Sequence, residues 1–237
     1  MTRPTLVLTA HGSADPRSAG VTHAVAGRIR RLRPELDVRV AFCEQIAPNL
    51  AAVLADVRGP AVLTPMLLAD AYHARIDIPA MVAASGAHVL QAPVLGEDPA
   101  LLAVLRQRLA EAGVSRYDGH VGVIVAAVGS SNPIANAHTA SVASALAAGT
   151  EWVGARIALA TRPQPSLAEA TLRLRSAGAR RIVIAPWFLA HGVITDRVAE
   201  FAAAQGIAMA EPLGSHSLVA ATVLDRYQSM ISALQAA

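Results

Sequence analysis

Leu6-Val7-Leu8-Thr9-Ala10-His11-Gly12-Ser13 returns later in the chain as Val123-Ile124-Val125-Ala126-Ala127-Val128-Gly129-Ser130, 117 residues on from Gly12 to Gly129. Each copy is a short apolar run closed by Gly-Ser. That is the pattern of a strand buried on both faces and followed by a turn. Further landmarks recur in the same order. Ala47-Pro48-Asn49-Leu50 matches Gln164-Pro165-Ser166-Leu167 at the same offset, and Leu63-Thr64-Pro65 matches Ile184-Ala185-Pro186 at an offset of 121. Pro93-Val94-Leu95-Gly96 is similar to Pro212-Leu213-Gly214. An ordered series at near-constant spacing marks an internal repeat.

The repeat organises the remaining periodicity. Short apolar runs at Thr5–Ala10, Val38–Phe42, Ala61–Leu67, His88–Ala92, Val121–Val128, Arg156–Ala160, Arg181–Pro186 and Ile207–Ala210 predict strands. Amphipathic, Ala-rich stretches between them predict helices. Continuous apolar strands alternating with helices predict parallel sheets joined by right-handed crossovers. The fold class is α/β, with two similar halves, each a four-stranded parallel sheet flanked by helices. The boundary falls in the short polar join 113–120, giving domains 1–116 and 117–237.

Composition excludes several classes. With 237 residues, 54% of them hydrophobic, and a net charge of +3, the chain buries a core rather than staying disordered. The single Cys43 rules out a disulfide scaffold. No uninterrupted apolar run reaches the roughly 18 residues of a membrane span. Met1-Thr2-Arg3-Pro4 and the run after it, cut short by His11-Gly12, do not read as a signal peptide. The expectation is therefore a cytoplasmic protein without a membrane partner. All 20 basic residues are Arg, which reads first as the codon usage of a GC-rich genome. Aromatics are only 3% and the arginines are scattered apart from Arg28, Arg30, Arg31 and Arg33, so a polyanionic small molecule suits the charge better than nucleic acid.

In open parallel sheets, ligands bind outside the carboxyl ends of the strands. In the first half those ends release His11-Gly12-Ser13, then Cys43-Glu44-Gln45, then Asp70-Ala71-Tyr72-His73-Ala74-Arg75. Two imidazoles and a carboxylate thus leave three strands on one edge, a donor set suited to a divalent first-row metal. The second half carries Val128, Thr161 and Ile194 at the matching positions, with His191 opposite Asp70. One half therefore holds the site, and the other keeps the fold without the polar groups. His191 remains a further candidate for the same cleft. Other readings compete. Glu44 is also a candidate cap for the following helix, and Ser13 and Asp15 for the first. Asp77 before Ile78-Pro79 reads as a helix N-cap. Cys43 reads as a small buried residue beside the site.

Ala10-His11-Gly12-Ser13, Glu44 followed by Ala47-Pro48, and His73-Ala74-Arg75-Ile76-Asp77-Ile78-Pro79 together resemble the class II chelatases, the sirohydrochlorin cobalt and iron chelatases, in their long form of two chelatase-like halves. The resemblance covers nearly the whole chain. One departure is Ala14, where the family often has Arg. The resemblance implies insertion of a divalent metal, Fe²⁺ or Co²⁺, into sirohydrochlorin, a polycarboxylate tetrapyrrole, in sirohaem or cobalamin biosynthesis. The metal is then a substrate and no organic cofactor is needed. His11, His73 and Glu44 would be metal ligands and catalytic residues. Ser13, Arg17 and Arg75 would meet the substrate carboxylates, and Met66, Leu67 and Leu68 would form aliphatic walls. A monomer or weak dimer is expected. A metal or tetrapyrrole carrier would need the same ligands. Thr9-Ala10-His11-Gly12-Ser13 is also similar to the Arg-His-Gly motif of histidine phosphatases, but Ala10 stands where their phosphate-holding Arg belongs. No Gly-rich phosphate loop follows any strand, which disfavours a nucleotide-binding domain.

Overall fold

The computed structural model describes residues 3–162 and 164–236. The first half supplies strands β1 (Thr5–Ala10), β2 (Val38–Phe42), β3 (Ala61–Pro65) and β4 (Val89–Gln91), and the second supplies β5 (Val121–Ala127), β6 (Gly154–Leu159), β7 (Arg181–Pro186) and β8 (Ala208–Met209). They form two four-stranded sheets, ordered β2-β1-β3-β4 and β6-β5-β7-β8. Every strand pair in both sheets is parallel. The predicted class and the strand positions hold. Strand β3 stops at Pro65, two residues short of the expected end: Pro65 has no N–H to donate, and after Met66 N–H reaches the Thr9 carbonyl at 2.6 Å the chain leaves the sheet.

The repeat extends to individual hydrogen bonds. Cys43 N–H donates to the Ala10 carbonyl at 3.0 Å, as Ala160 N–H does to Ala127 at 2.8 Å. Glu44 N–H donates to the His11 carbonyl at 2.9 Å, as Thr161 N–H does to Val128 at 3.0 Å. Gly12 and Gly129 share a positive φ, +96° and +88°, and Ala47-Pro48 and Gln164-Pro165 are both cis. Helix α1 (Pro16–Leu32) follows β1, and α2 (Leu50–Asp56) follows β2. A π-helical turn, His73–Asp77, runs into α3 (Ile78–Ser85) after β3. The central strand β1 is buried throughout, so helices must cover both of its faces. On one side Val7, Ala41, Leu50, Leu54, Leu63 and Ile78 form a continuous apolar cluster. The second half repeats the plan with α5 (Pro133–Ala147), α6 (Leu167–Ser176) and α7 (Val193–Ala204). No helix among the described residues is long and apolar enough to cross a membrane.

The compact units do not follow the expected boundary between residues 116 and 117. One unit comprises Met1–Gly96 with Ser215–Ala237, and the other Glu97–Gly214. Helix α4 (Pro99–Glu111), the last of the first repeat, belongs to the second unit, and α8 (Ser217–Ala236), the last of the second repeat, belongs to the first. Apolar faces and matched arginine contacts account for the exchange. Leu101, Val104, Leu105 and Leu109 of α4 are buried, the helix packs on α5 and β7, and the Arg108 guanidinium donates to the carbonyls of Pro212 (3.1 Å) and Leu213 (3.4 Å). Helix α8 packs on α1 and β3, and buries Val219, Ala220, Val223 and Tyr227. There Arg226 donates to the carbonyls of Val94 (3.0 Å) and Leu95 (2.9 Å), and the Tyr227 hydroxyl donates to Pro4 O at 2.6 Å. Each arginine ties an exchanged helix to the loop after the fourth strand of the unit that receives it.

Candidate metal centre

His11 leaves the carboxyl end of β1, and its backbone is held beside Glu44. Gly12 makes that approach possible. Its φ of +96° lies where side chains are strained, and a Cβ there would stand 2.0 Å from the Glu44 carbonyl oxygen. On the facing loop, Gln45 adopts a positive φ of +65°, and its Oε1 accepts the Ala14 N–H at 2.9 Å. The loops after β1 and β2 are therefore joined by backbone and side-chain bonds. An open cavity of about 390 Å³ runs along the second loop, lined by Cys43, Glu44, Gln45, Ile46, Ala47 and Asn49. The cap of α2 is Asn49, whose side chain accepts the Ala52 N–H at 2.8 Å, so the competing reading of Glu44 as the cap does not apply.

His73 reaches the same place from the π-helical turn after β3. Its ring centroid lies 4.1 Å from that of His11, with the planes tilted by 40°. One ligand atom each from His11, Glu44 and His73 falls within 4.8 Å of the others. Among the described residues this is the one group of three or more His, Cys, Asp or Glu placed to hold a metal ion. Burial lowers the pKa of His11, helped by the charge of His73 and opposed by Glu44 and Asp77. Its lone pair therefore stays available at neutral pH. Its Nδ1 is buried and has no hydrogen-bond partner among the described residues. Cys43 is half-buried beside these residues, and burial, reinforced by Asp77 and Glu44, pushes its thiol up to about 11. It is therefore a protonated thiol at neutral pH.

Asp77 corrects a sequence expectation. It makes no side-chain cap to α3, and its backbone is helical at φ −66° and ψ −51°. The π-helical turn continues directly into α3, so there is no extended residue at the junction to act as an N-cap. Instead, Asp77 Oδ2 lies 2.6 Å from His73 Nδ1.

Ser13, Arg17 and Arg75, the expected anion contacts, are already engaged by local partners. Ser13 Oγ accepts the Asp15 N–H at 3.1 Å. Asp15 caps α1 through the Arg17 N–H and pairs with the Arg17 guanidinium. Arg75 pairs with Asp70 at 2.7 Å, both exposed. Met66 is buried under the sheet edge, and Leu67 packs on the core of the first unit. In the second unit Val128 is exposed, Thr161 Oγ1 donates to the Val128 carbonyl at 2.7 Å, and Ile194 packs on the core. His191 Nε2 lies 2.8 Å from Glu211 Oε2 in that unit.

Comparison with known proteins adds a family and a fold. The CbiX family model matches residues 5–112 and again 122–230. Among solved structures, SirB from Bacillus subtilis with Fe³⁺ superposes with a TM-score of 0.82 at 17% identity, covering 96% of this chain and 95% of that one. The sirohydrochlorin chelatase SirB from Bacillus subtilis subspecies spizizenii in complex with cobalt gives 0.74 at 16%, covering 96% and 94%. CbiX, the terminal enzyme for biosynthesis of siroheme in denitrifying bacteria, gives 0.70 at 20%, covering 95% and 98%. At these identities the likeness is one of fold. No curated protein matches the sequence.

Proposed function

The chain belongs to the CbiX family, and from that premise we propose that it is a sirohydrochlorin chelatase, inserting Fe²⁺ or Co²⁺ into the macrocycle with release of two protons. The observation that carries this reading is the convergence of His11, Glu44 and His73 from three strand ends of one sheet. The SirB structures with Fe³⁺ and with cobalt are consistent with such a donor set on this fold. A chelatase must hold its metal and then give it up. Three donors leave positions open for incoming pyrrole nitrogens, whereas a structural site closes its coordination with four. In this reading His11 and His73 present imidazole nitrogens to the metal, and Glu44 serves as the third ligand or carries protons away. As the metal enters, each displaced pyrrole N–H proton passes to a basic group at the site and then to water.

The substrate carboxylates would meet Ser13, Arg17 and Arg75. Arg75 pairs with the exposed Asp70, and a pair open to water exchanges readily for another carboxylate, whereas the Asp15 partner of Arg17 is mostly buried and also caps α1. The reading places the chain as a monomer or weak dimer, with activity in the first unit only.

The test mixes the purified protein with sirohydrochlorin and Co²⁺ or Fe²⁺ and follows the absorption of the macrocycle. Insertion well above the spontaneous rate is expected. A rate equal to the protein-free control overturns the proposal. In that case, tight binding of metal or tetrapyrrole without acceleration would identify a carrier.

A further inference from the structure

Resting on the reading of His73 as a metal ligand, we infer that Asp77 is a positioning residue that fixes the His73 ring so that its Nε2 lone pair faces the metal. The two residues stand four apart on the π-helical turn, with Nδ1 and Oδ2 2.6 Å apart. An ionised carboxylate only accepts hydrogen bonds, so Nδ1 carries the proton and Nε2 is left as the free donor atom. The contact also pins the rotation of the imidazole about its bond to Cβ, the usual role of a carboxylate behind a metal-binding His. Among the described residues the side chain of Asp77 makes no other hydrogen bond, and it does not cap α3. The other imidazole has no counterpart among these residues, since His11 Nδ1 is buried without a partner. Among the described residues the centre thus combines one ring paired with a carboxylate and one whose Nδ1 has no such partner.

The experiment titrates Co²⁺ alone into the full chain and reads its visible d–d absorption. Wild type, Asp77→Ala, Asp77→Asn, His73→Ala and the His73→Ala/Asp77→Ala double variant are compared. Loss of a carboxylate behind a ligating His is expected to weaken Co²⁺ binding on the order of 10–100-fold in Asp77→Ala. Asp77→Asn, which keeps the shape and one acceptor oxygen, should lie between it and wild type. Because Asp77 acts through His73, the double variant should bind Co²⁺ as His73→Ala does. Should Asp77→Ala fail to fold, the same comparison with Asp77→Asn, alone and in the His73→Ala background, decides the matter. Unchanged affinity in the Asp77 variants, or the same fold loss repeated in the His73→Ala background, overturns the inference. A His73→Ala chain that binds Co²⁺ as tightly as wild type would overturn the underlying ligand reading instead, so the two failures are distinguishable.

Discussion

Replacing His11 or His73 by alanine lowers the rate of Co²⁺ insertion into sirohydrochlorin by at least about 100-fold. Each change deletes one of three donors gathered within 4.8 Å, and with it, in the proposed mechanism, a base for the departing protons. Loss of a positioned acid or base alone is worth roughly 10²–10⁴ in rate. The two variants should fail for related but separable reasons. His73 is the ring held by Asp77, so its loss should appear first in metal affinity. Burial lowers the pKa of His11, so its loss should also remove an imidazole that is kept neutral at pH 7. The control is His120→Ala. His120 is exposed in the turn before β5, and its hydrogen bonds run through its backbone, its N–H to Asp118 at 3.0 Å and its carbonyl to Arg180 and Arg181. That variant should insert metal at the wild-type rate. A wild-type rate in His11→Ala would remove the site assignment even if the chain remained a chelatase.

The second large effect comes from one methyl group. In Gly12→Ala the new Cβ would lie 2.0 Å from the Glu44 carbonyl oxygen, and the backbone would be held at φ +96°. That carbonyl accepts the Ile46 N–H at 2.8 Å, so retreat breaks the turn that presents Glu44. Backbone strain and overpacking of this kind cost about 1–3 kcal/mol each. Unfolding in urea should therefore show a loss of about 2–6 kcal/mol, with insertion falling alongside it. Gly59→Ala isolates the strain. Gly59 has φ +81° but no atom within 4 Å of an added Cβ, so its cost should stay near 1–2 kcal/mol, with insertion intact. A Gly12→Ala chain as stable and as active as wild type would show that the approach of the two loops is unimportant.

Much of this was legible in the sequence, because the signals were local or repeated. Buried parallel strands read as continuous apolar runs, and a duplicated pattern placed all eight within a few residues of their observed positions. The three donors were found by a rule of topology, since whatever follows a parallel strand lies at one edge of the sheet. Asp77 was misread because Asp-Ile-Pro looks like a helix start. The signal that would have corrected it was present: His73 and Asp77 are four residues apart, the spacing at which helical side chains meet. The exchange of α4 and α8 was not legible, since an amphipathic helix shows that it has an apolar face but not which sheet will receive it. Arg108 and Arg226, which reach carbonyls about 100 residues or more away, leave no local mark. Arg17 and Arg75 were chosen as anion contacts by proximity in sequence, which cannot reveal that Asp15 and Asp70 already hold them.

In this reading one half of a duplicated fold carries the metal chemistry and the other does not. The most direct test is the location of cobalt in crystals of the full chain grown with Co²⁺, read from anomalous scattering. One strongly occupied ion coordinated by His11, Glu44 and His73 is expected, and none at Val128, Thr161 and Ile194. Cobalt bound instead at His191 and Glu211, or absent from the three predicted ligands at saturating metal, would contradict it.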